Sequence, residues 1–466
     1  MEANDNIESI TGNPKKAINK LAIPTIFSLL LMFLNNLIDS FWVSGINADA
    51  LAALGFITPL YLVMIGIGSG IGAGGNSMIS RYVGASRFED AHNAVIHTII
   101  LTFIVSLIIL IIGIFFLDDL IILFGAGEVI TYCLAYGQII FLLNIVFLLP
   151  NVTSSIFRAE GDVGKATHPL MLTAVLNMIL DPIFIFLLNL GIFGAASATI
   201  IASLIGYLWM LYWIYIKKDT YFKFKIKYYK RKLKIYKEIL VVSLPASFEE
   251  IIFALVAIIL NYLIITTSGV NEVASFTIAW RFISIAFLPC MAIGMATITV
   301  SGIAYGAKNA ENFDTTIKYS TMLSLIITLL ISVSFFIFAY PLCGAFNYQT
   351  GNMELVTRSA EILQILVFYN ILIPFGATAA YTYQGVGSGF KSLGLTILRE
   401  LILSMFFAYL LGITFNMDVF GVYLGAIIGM NIGSLIGFIF ILIFNEKFKK
   451  EVENTTYPKK VTKDLN

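Results

Sequence analysis

Apolar residues run in long unbroken stretches, and the polar positions collect in the short segments between them. Twelve such runs are legible, at about Ala17–Val43, Ala50–Ile79, Ala91–Leu117, Val129–Phe157, His168–Asn189, Gly194–Ile216, Ile239–Thr266, Val273–Ala304, Thr315–Ala339, Met353–Tyr383, Leu393–Ile413 and Val419–Phe444. A helix needs about 20 apolar residues to cross the hydrocarbon core of a bilayer. Each run therefore predicts one membrane-spanning helix. Prolines 24, 59, 150, 182, 245, 289 and 374 lie within or beside these runs. Each removes a backbone donor and predicts a bend with freed carbonyls near a cavity. The run Gly66-Ile-Gly-Ser-Gly70-Ile-Gly72-Ala-Gly74-Gly75 contains the spacing of a dinucleotide fingerprint but follows no strand, so it predicts close helix–helix packing instead.

Composition agrees: 59% of the 466 residues are apolar and 12% charged, whereas soluble domains carry about 25% charged residues. Cys133, Cys290 and Cys343 lack metal-ligand or disulfide spacing and read as small core residues. No His-x-x-x-His, intramembrane protease pattern or Ser/His arrangement is present, so no enzyme and no cofactor is expected.

The basic residues give orientation. With both ends in the cytoplasm, 25 of the 29 Lys and Arg fall in the inside segments, and the six outside loops hold none. The positive-inside rule then places the chain in the cell membrane as a multi-pass protein with cytoplasmic termini. The stretch Lys217–Lys237 mixes basic and aromatic residues; a linker lying on anionic lipid headgroups explains it without nucleic acid.

The sequence is also written twice. Pro24 returns as Pro245. Val83-Gly84-Ala85 with Glu89 returns as Tyr305-Gly306-Ala307 with Glu311, offset by 222 residues. Leu149-Pro150 and Glu160-Gly161 return as Ile373-Pro374 and Gln384-Gly385 at an offset of 224, and Phe193-Gly194 as Phe420-Gly421 at 227. Duplicated halves of this kind mark transporters that rock about a central site. The expected fold is an all-α integral membrane protein, with twelve transmembrane helices in two pseudo-symmetric six-helix lobes around a V-shaped cleft. Residues 1–216 form the N-terminal lobe, 217–238 a basic cytoplasmic linker, 239–446 the C-terminal lobe and 447–466 a cytoplasmic tail.

Two acids break the repeat. Asp39 and Asp181 lie inside apolar runs, where a charge costs roughly 2.5–3.5 kcal/mol, so each marks a functional site by default. Asp39 corresponds to about Asn261, and Asp181 to an apolar position near Phe407 or Ala408. Asn177 precedes Asp181 by four residues, as Asn35 precedes Asp39, so each pair shares a helix face. Ser197 and Thr199 on the sixth run, and Tyr136 and Asn151 on the fourth, offer further oxygens. Sodium wants hard oxygen ligands, while a proton needs only a carboxylate whose affinity is raised by burial or a second acid. The same residues serve both, and the sequence leaves the choice open.

Leu21-Ala-Ile-Pro24, Leu37-Ile-Asp39-Ser-Phe-Trp42, Arg158-Ala-Glu-Gly-Asp162, Asn177-x-x-x-Asp181-Pro182 and the repeated Gly-Ala element together resemble the multidrug and toxic compound extrusion (MATE) transporters, across about residues 12–446. The DinF-like and archaeal members look most similar. The resemblance implies export of drugs or other toxic amphipathic and cationic small molecules by alternating access, against entry of a proton or sodium. It assigns the cation site to Asp39, Asp181, Asn177 and Thr199, with sodium possible there; Tyr136 and Asn151 match less specifically and, with Asn35 and Glu249, are the candidate lining of the substrate cavity. It further implies a monomer whose partners are the transported molecule and membrane lipids. One departure stands out: NorM-type members carry a Glu well into span seven and an Asp on span ten. Here Glu249-Glu250 sits near the start of span seven and span ten has no Asp, so the second-half site does not carry over. Glu249, Glu250, Arg281, Arg399 and Glu400 read either as a structural ion-pair set or as cavity charges that touch substrate, the former being favoured.

The competing function is a flippase of lipid-linked oligosaccharide or lipid with the same superfold. A pyrophosphate headgroup calls for Arg or Lys in the cavity; the first-half runs carry none away from their ends. A channel would need a repeated ring of charges or carbonyls, which the asymmetric acids do not supply.

Overall fold

The computed structural model describes residues 2–123, 125–224, 229–346 and 352–456. Residues 225–228 of the linker, the loop 347–351 and the tail beyond 456 lie outside these. Ten helices are long and apolar enough to cross a membrane singly, and two bent pairs complete twelve spans. Spans one to three are Pro14–Ser44, Ala48–Gly84 and Phe88–Phe115; span four is Gly127–Leu142 with Ile145–Ala159; spans five and six are Val163–Leu187 and Gly191–Lys217. Spans seven to nine are Leu233–Ser268, Val270–Gly306 and Ala310–Ile337; span ten is Met353–Tyr369 with Ile373–Gly385; spans eleven and twelve are Gly389–Thr414 and Asp418–Asn454. All twelve predicted runs coincide with these helices. No strand occurs among the described residues.

The duplication is visible in individual contacts. Gly84 lies against the Ile303 carbonyl and Gly306 against the Arg81 carbonyl, with no room for a β-carbon at either. The two contacts interchange at the sequence offset of 222. Within each half, a β-carbon on Gly194 would lie 2.6 Å from the Phe184 oxygen, and one on Gly421 would lie 2.6 Å from that of Leu411, the second contact repeating the first at 227. The glycine run packs as its composition predicts. Gly66, Gly70 and Gly74 face Glu250, Ser247 and Ser243 of span seven, whereas Gly68 and Gly72 face Leu148 and Ser155 of span four.

Core placement defines a cleft. At the basic end one cluster joins both halves, including Ile18, Leu21 and Met78 with Ile293, Val300 and Ile303. At the other end the halves keep separate cores, one around Leu54, Ile140 and Ile192 and one around Leu260, Phe282 and Leu363. Polar contacts cross at the basic end too: Asn76 Nδ2 donates to Thr299 Oγ1 (3.0 Å), which donates back to Asn76 Oδ1 (3.1 Å). The halves thus meet at the basic end and diverge toward the opposite one.

Prolines do not set the sharp bends. Span one runs unbroken through Pro24 and span seven through Pro245. The breaks in spans four and ten, of 48° and 51°, fall at Asn144 and Asn370, ahead of Pro150 and Pro374. Asn144 Nδ2 donates to the Ser106 carbonyl at 3.1 Å, and Asn370 Nδ2 to that of Ile283 at 2.9 Å. A side-chain donor on a neighbouring helix carbonyl holds each break in place, a tertiary cause that a proline count misses.

The linker is strapped to the first half. Glu160 Oε2 accepts from the amides of Tyr221 (2.7 Å) and Phe222 (3.1 Å), and Asn93 exchanges hydrogen bonds with the Lys230 backbone. Phe222 is fully buried, so at least this linker aromatic serves the core. Burial pushes the Glu160 carboxyl up to about 8, against the pull of the Phe222 and Tyr221 amides. Unfolded Glu titrates near ~4.3. Between those values the folded chain holds the extra proton, so the stability from this group is complete below the window and lost as pH rises through about 8. Glu160→Gln keeps an oxygen for both amides and is expected to flatten that alkaline loss. Thermal unfolding of the two proteins across a pH series checks it, and an unchanged slope in the variant refutes it.

Candidate functional site

Asp181 closes the regular part of span five. The helix Val163–Pro182 passes into a wide π-helical turn at Ile183–Leu187. Span eleven has the same turn at Leu410–Thr414, offset by 227, with no proline before it. The irregularity therefore belongs to both halves, accommodated by the close approach of Gly194 and Gly421, and Pro182 alone does not cause it. What the first half adds is the carboxylate, since the residue matching Asp181 at that offset is Ala408.

Asp181 is fully buried and Asn177 nearly so. Asp39, on span one, is half-buried, and its carboxyl comes within hydrogen-bonding reach of Asp181. Asn177 sits at the hub. Its amide nitrogen donates to Asp181 Oδ1 at 2.7 Å and to Thr199 Oγ1 at 3.4 Å, and its oxygen accepts from Asn35 Nδ2 at 3.0 Å. Thr199 Oγ1 donates to the Ala195 carbonyl at 3.0 Å, and the buried Tyr136 phenol lies close enough to Asp39 and Asp181 to feel their charge. Spans one, four, five and six each contribute a side chain.

The donors fall short of the acceptors. Asn35 Oδ1, Asp39 Oδ1 and Asp181 Oδ2 are buried without a hydrogen-bond partner. Leaving buried acceptors unmatched costs about 1–3 kcal/mol each, more for charged groups. Two facing carboxyls with spare oxygens make a seat for positive charge, either one proton shared between them or a cation held by hard oxygens. Among the described residues no group of three or more His, Cys, Asp or Glu offers a conventional metal site.

Asn35, Asp39, Tyr136, Asn177, Asp181 and Thr199 are thus brought together, while Asn151 and Glu249 are not. Asn151 Nδ2 donates to the Phe147 carbonyl of its own helix at 2.9 Å, and its β-carbon packs near Gly68. Glu249 lies in the second half and accepts from Gln384 Nε2 at 3.2 Å. Tyr61 escaped the sequence reading. It lies close enough to Asp39 to feel its charge and stacks edge-on to Phe147. A lone tyrosine in an apolar run was its only signal. Trp42, three residues beyond Asp39, holds its indole nitrogen buried without a partner.

The second-half charges divide. Arg399 and Glu400 pair at 2.7 Å within a π-helical turn, Ile397–Leu403. Glu250 is exposed and its side chain meets Gly66 where spans two and seven cross, at the floor of the cleft. Arg281 is exposed. Above the Arg399–Glu400 pair, Phe253, Trp280, Phe287 and Tyr369 line a small aromatic cavity with Glu400. An ion pair the sequence did not single out joins Arg358 to Glu272 at 2.8 Å.

The MatE family model matches residues 24–183 and 245–410, one segment in each half. Multidrug export protein MepA of Staphylococcus haemolyticus is 27% identical over 306 residues, covering 65% of this chain and 67% of its own. Probable multidrug resistance protein YoeA of Bacillus subtilis is 24% identical, covering 88% of this chain and 89% of its own. A solved structure described as the outward-facing conformation of a multidrug resistance MATE family transporter of the MOP superfamily superposes with a TM-score of 0.92 at 33% identity, covering 96% of this chain and 99% of that one. Matched through both of its halves, this chain belongs to the multidrug and toxic compound extrusion family of membrane transporters.

Proposed function

We propose that the protein exports amphipathic or cationic drugs by alternating access, coupled to entry of a proton or sodium at the Asp39–Asp181 seat. The observation that carries the reading is the set of three buried oxygens without donors around those carboxyls. A cation binding there changes the local charge by one unit and pulls spans one and five together through Asn177. Drug and cation drive antiport only if they favour different states of the cleft, since each ligand shifts the equilibrium by its differential affinity alone. The one-sided Lys and Arg distribution supports cytoplasmic termini in the cell membrane, with the cleft open to the outside.

Dye efflux from vesicles reconstituted with the full chain tests this, with a sodium gradient and a pH gradient imposed separately. Efflux driven by one gradient names the coupling ion; efflux indifferent to both rejects coupling. Glu249→Gln, remote from the seat, is expected to retain part of the activity.

A further inference from the structure

At the basic end, opposite the mouth of the cleft, a cavity of about 390 Å³ opens where the two halves meet. Its walls come from the ends of spans two, eight and twelve and from the start of span seven. Five cations line it, Arg81, Arg87, Lys232, Lys234 and Lys308, against two acids, Glu238 and Glu451. Their compensation is uneven. Arg87 and Lys232 share Asp90 at 2.6 and 3.0 Å, a satisfied surface pairing. Arg81 and Lys234 share only Glu238, at 3.8 and 3.9 Å, which is at the limit of an ion pair. No ion pair to Lys308 occurs among the described residues. Arg81 Nη2 is buried without a hydrogen-bond partner, on a guanidinium held against Gly387 and tied through Nε to the Ser77 carbonyl at 3.2 Å.

The positive-inside rule explains why basic residues sit on this face, but not why five of them converge from separated segments on one concavity. A guanidinium held in place beside mobile ammonium groups is the chemistry that receives a phosphate group. We propose that this cavity binds a phosphate-bearing anion, supplied either by a lipid headgroup or by a soluble phosphate. Arg81 and Arg87 belong to the first half, Lys234 and Lys308 to the second, and Lys232 to the end of the segment between. One anion therefore contacts both halves and favours the state in which this end is closed. The site does not depend on the coupling chemistry at Asp39 and Asp181.

The test uses the full chain in nanodiscs and reads thermal unfolding, with no transport step. Inorganic pyrophosphate is titrated into discs of phosphatidylcholine alone; a second series carries increasing phosphatidylglycerol with no soluble phosphate. A saturable rise in Tm is expected in at least one series, the first marking a soluble ligand and the second a lipid headgroup. Arg81→Gln with Lys308→Gln weakens that response by about tenfold or more. Lys16→Gln with Lys217→Gln removes the same charge elsewhere on this face and leaves it within about twofold. Should the first pair fail to fold, Lys308→Gln alone must still weaken binding more than the control pair does. A Ser77→Cys reporter, at a position fully buried between the halves, is alkylated more slowly when the anion is bound. No response in either series, equal weakening by the two double variants, or binding that leaves alkylation unchanged overturns the proposal.

Discussion

Asp39→Asn and Asp181→Asn are each expected to fold and insert, to lose gradient-driven efflux down to the level of protein-free vesicles, and to unfold at a Tm no lower than the parent's. The last expectation separates a coupling site from a structural one. Breaking a buried ion pair by removing one partner costs about 3–5 kcal/mol. Here the carboxyls face each other rather than a cation, and the surrounding oxygens lack donors. An asparagine brings an NH2 of similar size into that deficit, so the substitution satisfies the site while removing the charge that a proton or sodium would discharge. With nothing for the cation to discriminate, its gradient has no hold on the cleft. Stopped-flow dye efflux and thermal unfolding in the same membranes decide the matter. Full coupled efflux by either variant, or lost efflux with a Tm several degrees lower, would place the coupling elsewhere.

Twelve spans and the duplication were legible because hydrophobic length and repeated Gly and Pro positions are properties of the chain itself, whereas helix ends that continue into polar sequence, as span twelve does to Asn454, were not. The acids were legible for the same reason: a carboxylate within an apolar run has few reasons to be there. Tyr61 and the separation of Asn151 from the site were not legible, since both depend on which face of a helix meets which neighbour. The bends at Asn144 and Asn370 depend on carbonyls of other helices, at Ser106 and Ile283. Arg158-Ala-Glu-Gly-Asp162 carried the family resemblance without its reason. In the fold Arg158 donates to the Ser154 and Ser155 hydroxyls, Glu160 straps the linker, Gly161 takes φ +79°, and Asp162 caps span five through the Lys165 amide.

The paired glycines offer the second large effect. Gly84→Ala and Gly306→Ala each drive a β-carbon into a backbone carbonyl of the opposite half, Ile303 and Arg81 respectively. A carbonyl held in a helix cannot rotate aside as a side-chain tip can, so the two halves must move apart. Overpacking of this kind costs about 1–3 kcal/mol, occasionally more. Gly55→Ala is the matched control: nothing lies within 4 Å of its β-carbon position, and a helix gains up to about 1 kcal/mol on replacing Gly by Ala. The two contacts interchange under the repeat and share one crossing, so once either substitution has parted the helices the other meets less resistance. The double variant should therefore cost less than the sum of the singles. Parting the halves at this end also favours opening there, and a cysteine at Ser77 should be alkylated faster in both single variants than in Gly55→Ala. Parent-like Tm and alkylation in Gly84→Ala or Gly306→Ala would show that the crossing does not hold the basic end shut.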